Sequence, residues 1–331
     1  MSPHPALSWI LVTALGVVIG LLGPVAPARA GVPEASPRMV AAATKSGKDV
    51  RLTRPFHVDP SSQAARSAGR DRRLNRLAAT PQARWFTDRT APVNQTTALT
   101  RSYVLAAKRS RRTPVLTLYA IPGRDCGLWS AGGYESTTYK RWIRAVAKGL
   151  KGTRPMVVLE PDAVASLGDC AGQGDRAALL RYAAKKLTAA GAWVYLDAGH
   201  SGWHTPAEAA RRLKLAGVKH ARGFVTNVSN HRATASERAF GRAVRAQLKK
   251  RGIPGKRFVI DTSRNGVGPD AANTWCNNTS AKVGPRPRVI NGRKGLDAYL
   301  WIKRPGESDG WCNGGPEAGQ WWEWAALNLM R

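Results

Sequence analysis

Four short apolar runs, each followed by an aspartate, constrain the fold more than any other feature of this chain. The runs are 114–121 (PVLTLYAI), 156–160 (MVVLE), 193–196 (WVYL) and 298–303 (AYLWIK), and the aspartates are Asp125, Asp162, Asp197 and Asp309. Each run has the length of a strand, and its apolar residues hardly alternate with polar ones. That pattern belongs to strands buried on both faces of a parallel sheet. A carboxylate beyond the carboxyl end of such a strand lies at the mouth of an α/β barrel, where active sites are built. One such aspartate needs no more than loop composition. Four, in a chain with 21 acidic residues, predict a carboxylate-lined site.

The 331 residues suffice for one large α/β domain with a sizeable core. Apolar runs alternate with amphipathic stretches at βαβ spacing. Seven strands are predicted, at 83–86, 115–121, 156–160, 193–197, 223–228, 257–261 and 297–302. Helices are predicted at 96–109, 136–150, 174–190, 206–216 and 234–251, the third with Leu179, Leu180, Ala183, Ala184 and Leu187 on one face. Gly191, Gly217 and Gly252 follow helical segments as C-terminal caps do. Thr205 before Pro206 reads as an N-cap with proline in the first helical position. Residues 31–53, rich in Ala, Pro, Ser and Lys, read as a mobile lead-in to a single barrel-like domain over 54–331. With no internal repeat and no Pro/Thr/Ser linker, no separate binding module is expected.

Residues 6–22 form the one long apolar run, followed by Gly23-Pro24 and Ala28-Arg29-Ala30. This predicts a secretory signal peptide over 1–30, although no Lys or Arg precedes the run. The alternative, an uncleaved anchor, meets a run shorter than the ~20 residues of a full span. Cleavage would remove one Arg and no acid, leaving a charge of +30 in place of +31. The basic residues are scattered over candidate helix faces, and no nucleic-acid-binding motif is present, so no specific nucleic-acid partner is expected. Retention on an anionic cell-wall polymer is the use considered for the charge. In a secreted chain the four cysteines, Cys126, Cys170, Cys276 and Cys312, favour two disulfides, and three pairings are open. No CxxC or HExxH spacing is present, so no zinc site is expected.

Each aspartate also has a plainer reading. Asp125 sits in YAIPGRDCG, where Pro122-Gly123 forces a turn and Arg124 would favour an ionised neighbour. Asp162, in VVLEPDAVA, reads as an N-cap if a helix starts at Ala163. Asp197 leads WVYLDAGHSGWH, whose carboxylate, imidazoles and indoles suit sugar hydroxyls and ring faces. Asp309 clusters with Lys303 and Glu307 in what is either a solvated loop or one tethered by Cys312. Among 12 tryptophans, Trp85, Trp129, Trp203, Trp275, Trp301 and Trp311 lie beside these segments and suit carbohydrate stacking. Trp321, Trp322 and Trp324 read as core. Paired carboxylates with tryptophans point to glycoside hydrolysis.

These motifs, with GFVTNVSNH (223–231), FVIDTSRNG (258–266) and residues 299–322, resemble glycoside hydrolase family 6 in the family's order from about Phe56 to the end. The resemblance implies a distorted, seven-stranded parallel β/α barrel and inverting cleavage, a two-carboxylate chemistry that needs no metal and no cofactor. It implies that Asp162 is the general acid and that Asp125 raises the acid's pKa and helps take the water's proton. Asp309 would be base or electrostatic stabiliser, and the choice between Asp125 and Asp309 as base stays open. Asp197 would be a site carboxylate, and Tyr119 the tyrosine that crowds the sugar toward ring distortion. Trp85, Ser130, His200, Trp203, Asn230, Trp275, Lys303 and Glu307 match sugar-binding positions. Cys126–Cys170 and Cys276–Cys312 match the family's disulfides.

Two departures stand out: a surface far more basic than expected of a cellulase, and His231 where members often carry Tyr. The segments 265–275 and 276–297 are short, which favours an open cleft. The expectation is therefore a secreted, monomeric endo-β-1,4-glucanase acting on cellulose or related β-glucans. The alternatives are an exo-acting cellobiohydrolase and a catalytically weak polysaccharide- or cell-wall-binding protein on the same scaffold.

Overall fold

The computed structural model of this chain describes residues 49–292 and 294–331. The candidate signal peptide and residues 31–48 lie outside the described residues. One sheet runs in the order β1-β2-β3-β4-β5-β6-β8-β7. Its strands are β1 (Arg84–Thr87), β2 (Val115–Tyr119), β3 (Met156–Leu159), β4 (Trp193–Asp197), β5 (Gly223–Thr226), β6 (Arg257–Asp261), β7 (Arg288–Val289) and β8 (Leu296–Leu300). The seven expected strands are present and pair in parallel. The eighth, β7, pairs antiparallel with β8. Two residues carry no periodicity, so the sequence could not announce it. The sheet curls until the Ala83 N–H donates to the Trp301 carbonyl at 2.9 Å and the Trp85 indole N–H to that of Ile302 at 2.7 Å. These contacts stand where a full ladder would close the barrel, and they account for its distortion.

The helices are α1 (Gln63–Ala68), α2 (Asn75–Ala78), α3 (Val93–Arg109), α4 (Ser136–Leu150), α5 (Arg176–Ala189), α6 (Pro206–Leu215), α7 (Thr234–Lys250) and α8 (Glu323–Met330). Alternate strand residues build two cores, because side chains of a strand point to opposite faces. Leu116, Leu118, Val157, Leu159, Val194 and Leu196 pack outward with apolar residues of the helices. Val115, Met156, Val158, Tyr195, Val225 and Val259 fill the barrel. The predicted caps hold: Gly191, Gly217 and Gly252 take φ of 95°, 82° and 78°, and the Thr205 hydroxyl accepts the Glu208 N–H. The tryptophan-rich end departs from expectation. Trp321 and Trp322, just before α8, are partly buried, and Trp324 is exposed because the short α8 has only one side to bury.

At the end of the barrel where the strands begin, Asp297 of β8 is fully buried. It accepts from Tyr195 Oη (2.8 Å), Arg222 Nε (3.0 Å) and Arg257 Nε (2.6 Å). Arg222 and Arg51 both lie over the Trp193 ring, at 3.9 and 4.2 Å from its centroid. Arg51 is buried and also donates to the Gly191 carbonyl, so residues 49–53, read from sequence as mobile lead-in, are packed on the barrel. Asp297→Ala would leave two guanidinium groups without a counter-charge. The expected cost is about 3 kcal/mol or more, measured as a lower urea midpoint at unchanged m-value.

Candidate active site

Carboxylates at strand ends hold the loops that carry the site. Glu160 follows β3, and its Oε2 accepts the main-chain N–H groups of Ala120 (2.9 Å) and Ile121 (3.1 Å) beyond β2. Asp197 ends β4, and accepts from the N–H of Asp162 (2.6 Å) and of Gly199 (3.2 Å). Asp261 ends β6 and accepts four: Ser263 (2.9 Å), Ile302 (3.1 Å), Ser229 (3.1 Å) and Lys303 (3.0 Å). Each reaches the loop of a neighbouring strand, so strand spacing is passed on to loop spacing. Burial raises all three carboxyls, Glu160 to about 7. Asp197 is raised well above the usual carboxylate range, by burial and then by repulsion from Asp162.

Two further devices fix the loops. The Arg176 guanidinium, buried, donates to the Pro122 (3.0 Å) and Gly123 (2.7 Å) carbonyls and to the Ser166 hydroxyl (3.0 Å). The disulfides are Cys126–Cys170, which ties the Asp125 loop to the segment after Asp162, and Cys276–Cys312, which ties Trp275 to the Asp309 loop. These are the pairings the resemblance implies. Asp125, Cys126, Glu160 and Asp162 take φ of 57°, 47°, 50° and 66°. Such backbone costs of order 1 kcal/mol per non-glycine residue, and it gathers here around two aspartates.

The loops border a cleft of about 880 Å³. Asp125, Asp162 and Asp309 line it, with Tyr119, and Trp85, Trp129, Trp203 and Trp275 form its walls. The three carboxyls are set apart electrostatically. Burial, then repulsion from Asp125 and Asp309, pushes Asp162 up to about 7, against the pull of Arg176. Burial also raises Asp125, whose Oδ2 accepts the Ser130 N–H at 2.7 Å. Burial would raise Asp309 as well, but Arg264 (2.7 Å) and Lys303 (2.9 Å) hold it well below the usual carboxylate range. The Asn277 N–H (2.9 Å) adds a third donor.

Every catalytic or sugar-binding position that the family resemblance implies lines the cleft except Asp197. That aspartate is buried behind it and holds the backbone of Asp162. Trp85 stands edge-on to Tyr119, with centroids 5.4 Å apart. His200 accepts the Gly202 N–H at Nδ1 (3.1 Å), which leaves Nε2 to carry the proton of the neutral ring. The Asn230 amide donates to the Val228 carbonyl, and Glu307 pairs with Arg304 at 2.8 Å. Other expectations fail. Trp301 is core, 2% exposed, with its indole N–H on the Pro285 carbonyl; Trp311 is exposed outside the lining. No helix starts at Ala163, so Asp162 is not an N-cap. Arg124 does favour the ionised form of Asp125, as expected, but burial outweighs it, and its hydrogen bonds go to Asp88 and the carbonyls of Tyr119, Ser130 and Ala131.

Sequence reasoning passed over Glu160, Asp261, Arg176 and Arg264. Glu160 and Asp261 had a signal, an acid as the last residue of an apolar run. The arginines had none, because their partners come from distant loops. His231, noted only as a departure, contacts the Arg264 carbonyl through Nδ1 (3.0 Å) and the Trp275 carbonyl through Nε2 (3.3 Å), and so links the Asp309 pair to a cleft wall.

Fold and cleft together define an α/β-barrel enzyme whose carboxyls have opposed pKa shifts between tryptophan walls. The chain belongs to glycosyl hydrolases family 6, whose family model matches residues 54–331. It is 48% identical over 284 residues to Endoglucanase A of Cellulomonas fimi, across 84% of this chain but 61% of that protein, so it spans about three fifths of that relative's length. It is 38% identical to Endoglucanase 1 of Streptomyces halstedii, across 84% of this chain and 89% of that one. Among solved structures it is similar to the endoglucanase Cel6 from Mycobacterium tuberculosis in complex with methyl-cellobiosyl-4-deoxy-4-thio-beta-D-cellobioside. The TM-score is 0.79 at 41% identity, covering 85% of this chain and 98% of that one.

If Asp261 spaces the loops, Asp261→Asn, which keeps one acceptor oxygen, should free main-chain donors. The expected result is faster hydrogen exchange, by about tenfold or more, at two of the amides of Ser229, Ser263, Ile302 and Lys303, read by NMR or mass spectrometry.

Proposed function

We propose that the protein is a secreted, inverting endo-β-1,4-glucanase. The observation that carries the reading is the split within one cleft: Asp162 raised to about 7 while Asp309 is held far below it. A carboxyl near 7 is protonated at neutral pH and can donate to a leaving glycosidic oxygen. Asp162 is therefore the general acid. Asp309 is permanently ionised by Arg264 and Lys303, which makes it a poor proton acceptor and a good source of negative charge for an oxocarbenium-like transition state. Asp125 is the better base. It is raised by burial, and one of its oxygens has no partner among the described residues. Inversion needs acid and base roughly 6.5–9.5 Å apart, with water between base and sugar.

Asp197 acts through Asp162, whose backbone it holds. Tyr119, on the Trp85 side of the cleft, crowds the reacting ring toward distortion. Trp85, Trp203 and Trp275 stack on sugar faces, and Ser130, His200, Asn230, Lys303 and Glu307 bond hydroxyls. The names of the relatives and the cellobioside-type ligand of the neighbouring structure support a β-1,4-glucan. Internal cleavage is favoured because Trp129, Trp203 and Trp275 are 45%, 37% and 47% exposed, which a roofed tunnel would not allow. Two disulfides and the candidate signal peptide support secretion.

Asp162→Asn should lower kcat on a soluble β-1,4-glucan at least about a hundredfold with the fold intact; near-normal turnover would remove Asp162 from the acid role. The acid must be protonated and the base ionised. Hence kcat/KM should fall as pH rises through about 7, and fall again on the acid side at a pKa above that of an ordinary aspartate. On the same glucan, viscosity should drop early relative to reducing ends released; reducing ends without viscosity loss would indicate exo action.

A further inference from the structure

Away from the cleft, charge is sorted by position. Helices α3, α4, α5 and α7 carry no exposed acid; Glu237 of α7 is buried. The one partly exposed acid of the ring, Glu208 of α6, is taken up by Arg211 and Arg212 at 2.7 Å each. The last turns of all five helices are basic. In a parallel βα arrangement those turns lie at the end where the strands begin, opposite the cleft. The acids there are already bonded: Asp297 to Arg222 and Arg257, Asp49 to Arg51 and Arg154.

This basic end contains a pocket of about 250 Å³, bounded by the end of α3, the entry to β2 and the loop before β3. Arg54, Lys108, Arg112 and Arg154 line it, with no acid and no aromatic residue. Arg54 has no side-chain hydrogen bond or ion pair among the described residues. Lys108 and Arg112 each reach only a main-chain carbonyl, both at 3.3 Å. The Thr113 hydroxyl, buried and unpartnered among the described residues, belongs to the same wall. Arg154 shares Asp49 with Arg51, so Arg54, Lys108 and Arg112 are the three cations of this small space without a counter-charge among the described residues, and an entering anion would relieve their repulsion. Guanidinium forks bind carboxylate and phosphate oxygens in pairs.

We propose that this pocket, with the basic helix ends around it, binds a linear polyanion that carries carboxylate or phosphodiester groups and no aromatic bases. The pocket is too small for more than one charged unit and a short linker, while the surrounding cations would follow the chain onward. Single-stranded nucleic acid is disfavoured, because it is bound by aromatic stacking platforms and this pocket has none. Bound at this end, the polymer leaves the cleft open to substrate, so the enzyme would work while tethered.

The test uses the full secreted chain and three probes of matched charge: polygalacturonate, poly(glycerol phosphate) and double-stranded DNA. Affinity is measured at low and near-physiological salt. Replacing Arg54, Lys108, Arg112 and Arg154 with Gln should weaken binding of at least one of the first two polymers tenfold or more. Replacing Lys140, Arg141, Arg238 and Arg242 with Gln, on the outer faces of α4 and α7, removes the same charge and should cost less than twofold. The polymer more affected identifies the anionic group. Equal losses in the two variants, no binding near physiological salt, or DNA bound more tightly than both polymers would overturn the proposal. If the fourfold pocket variant melts early, the pair Arg54→Gln and Lys108→Gln should still weaken binding at least threefold. Hydrolysis of a neutral cello-oligosaccharide should be unchanged in all variants, so failure of this proposal leaves the catalytic reading standing.

Discussion

A buried carboxylate at the end of a strand, accepting main-chain N–H groups from the next loop, is the interaction on which this site depends. Glu160, Asp197 and Asp261 repeat it around the barrel. Each main-chain N–H paired in this way avoids the roughly 1–3 kcal/mol that a buried, unsatisfied donor costs. The larger consequence is geometric. Loops without secondary structure would wander by more than catalysis tolerates, whereas these are referenced to the sheet, the stiffest part of the molecule. The left-handed residues at Asp125 and Asp162 persist because Arg176, a disulfide and Asp197 over-determine the backbone there.

The same low-dielectric setting gives each carboxyl its character. Asp125, Asp162 and Asp309 are chemically identical and share one cleft, yet they are driven in different directions. Asp309 has two cations in contact; Asp162 has a distant one and two like charges. A single pKa unit corresponds to about 1.4 kcal/mol, so the split between them represents a large difference in environment rather than a small tuning. Among the described residues, most of the other acids are likewise paired, as Asp49 with Arg51, Asp88 with Arg124 and Asp297 with Arg222 and Arg257. The chain's large cationic excess is left to the outside of the helix ring and to the end opposite the cleft.

Much of the fold was legible before any coordinates. Continuous apolar runs marked the parallel strands, and Gly191, Gly217, Gly252 and Thr205 marked helix ends, because these signals are local and follow from backbone sterics and capping. The two-residue β7, the core position of Trp301 and the exposure of Trp324 were not legible. Each depends on what packs nearby rather than on the residue itself. The lead-in misled for the same reason: Arg51 is in a segment of disordered composition, and the Trp193 ring and the Gly191 carbonyl, distant in sequence, give it a place on the barrel.

For the site, the sequence by itself determined which aspartates stand beyond strands, which motifs surround them, and hence the family. Tertiary structure decided their separate characters. It moved Asp197 out of the cleft to a place behind Asp162, gave Arg124 to Asp88, and brought Arg264 and Lys303 onto Asp309. The reason is physical. Strand and turn preferences act between residues a few positions apart, while desolvation and Coulomb interactions act through space between residues that only the closed barrel brings together.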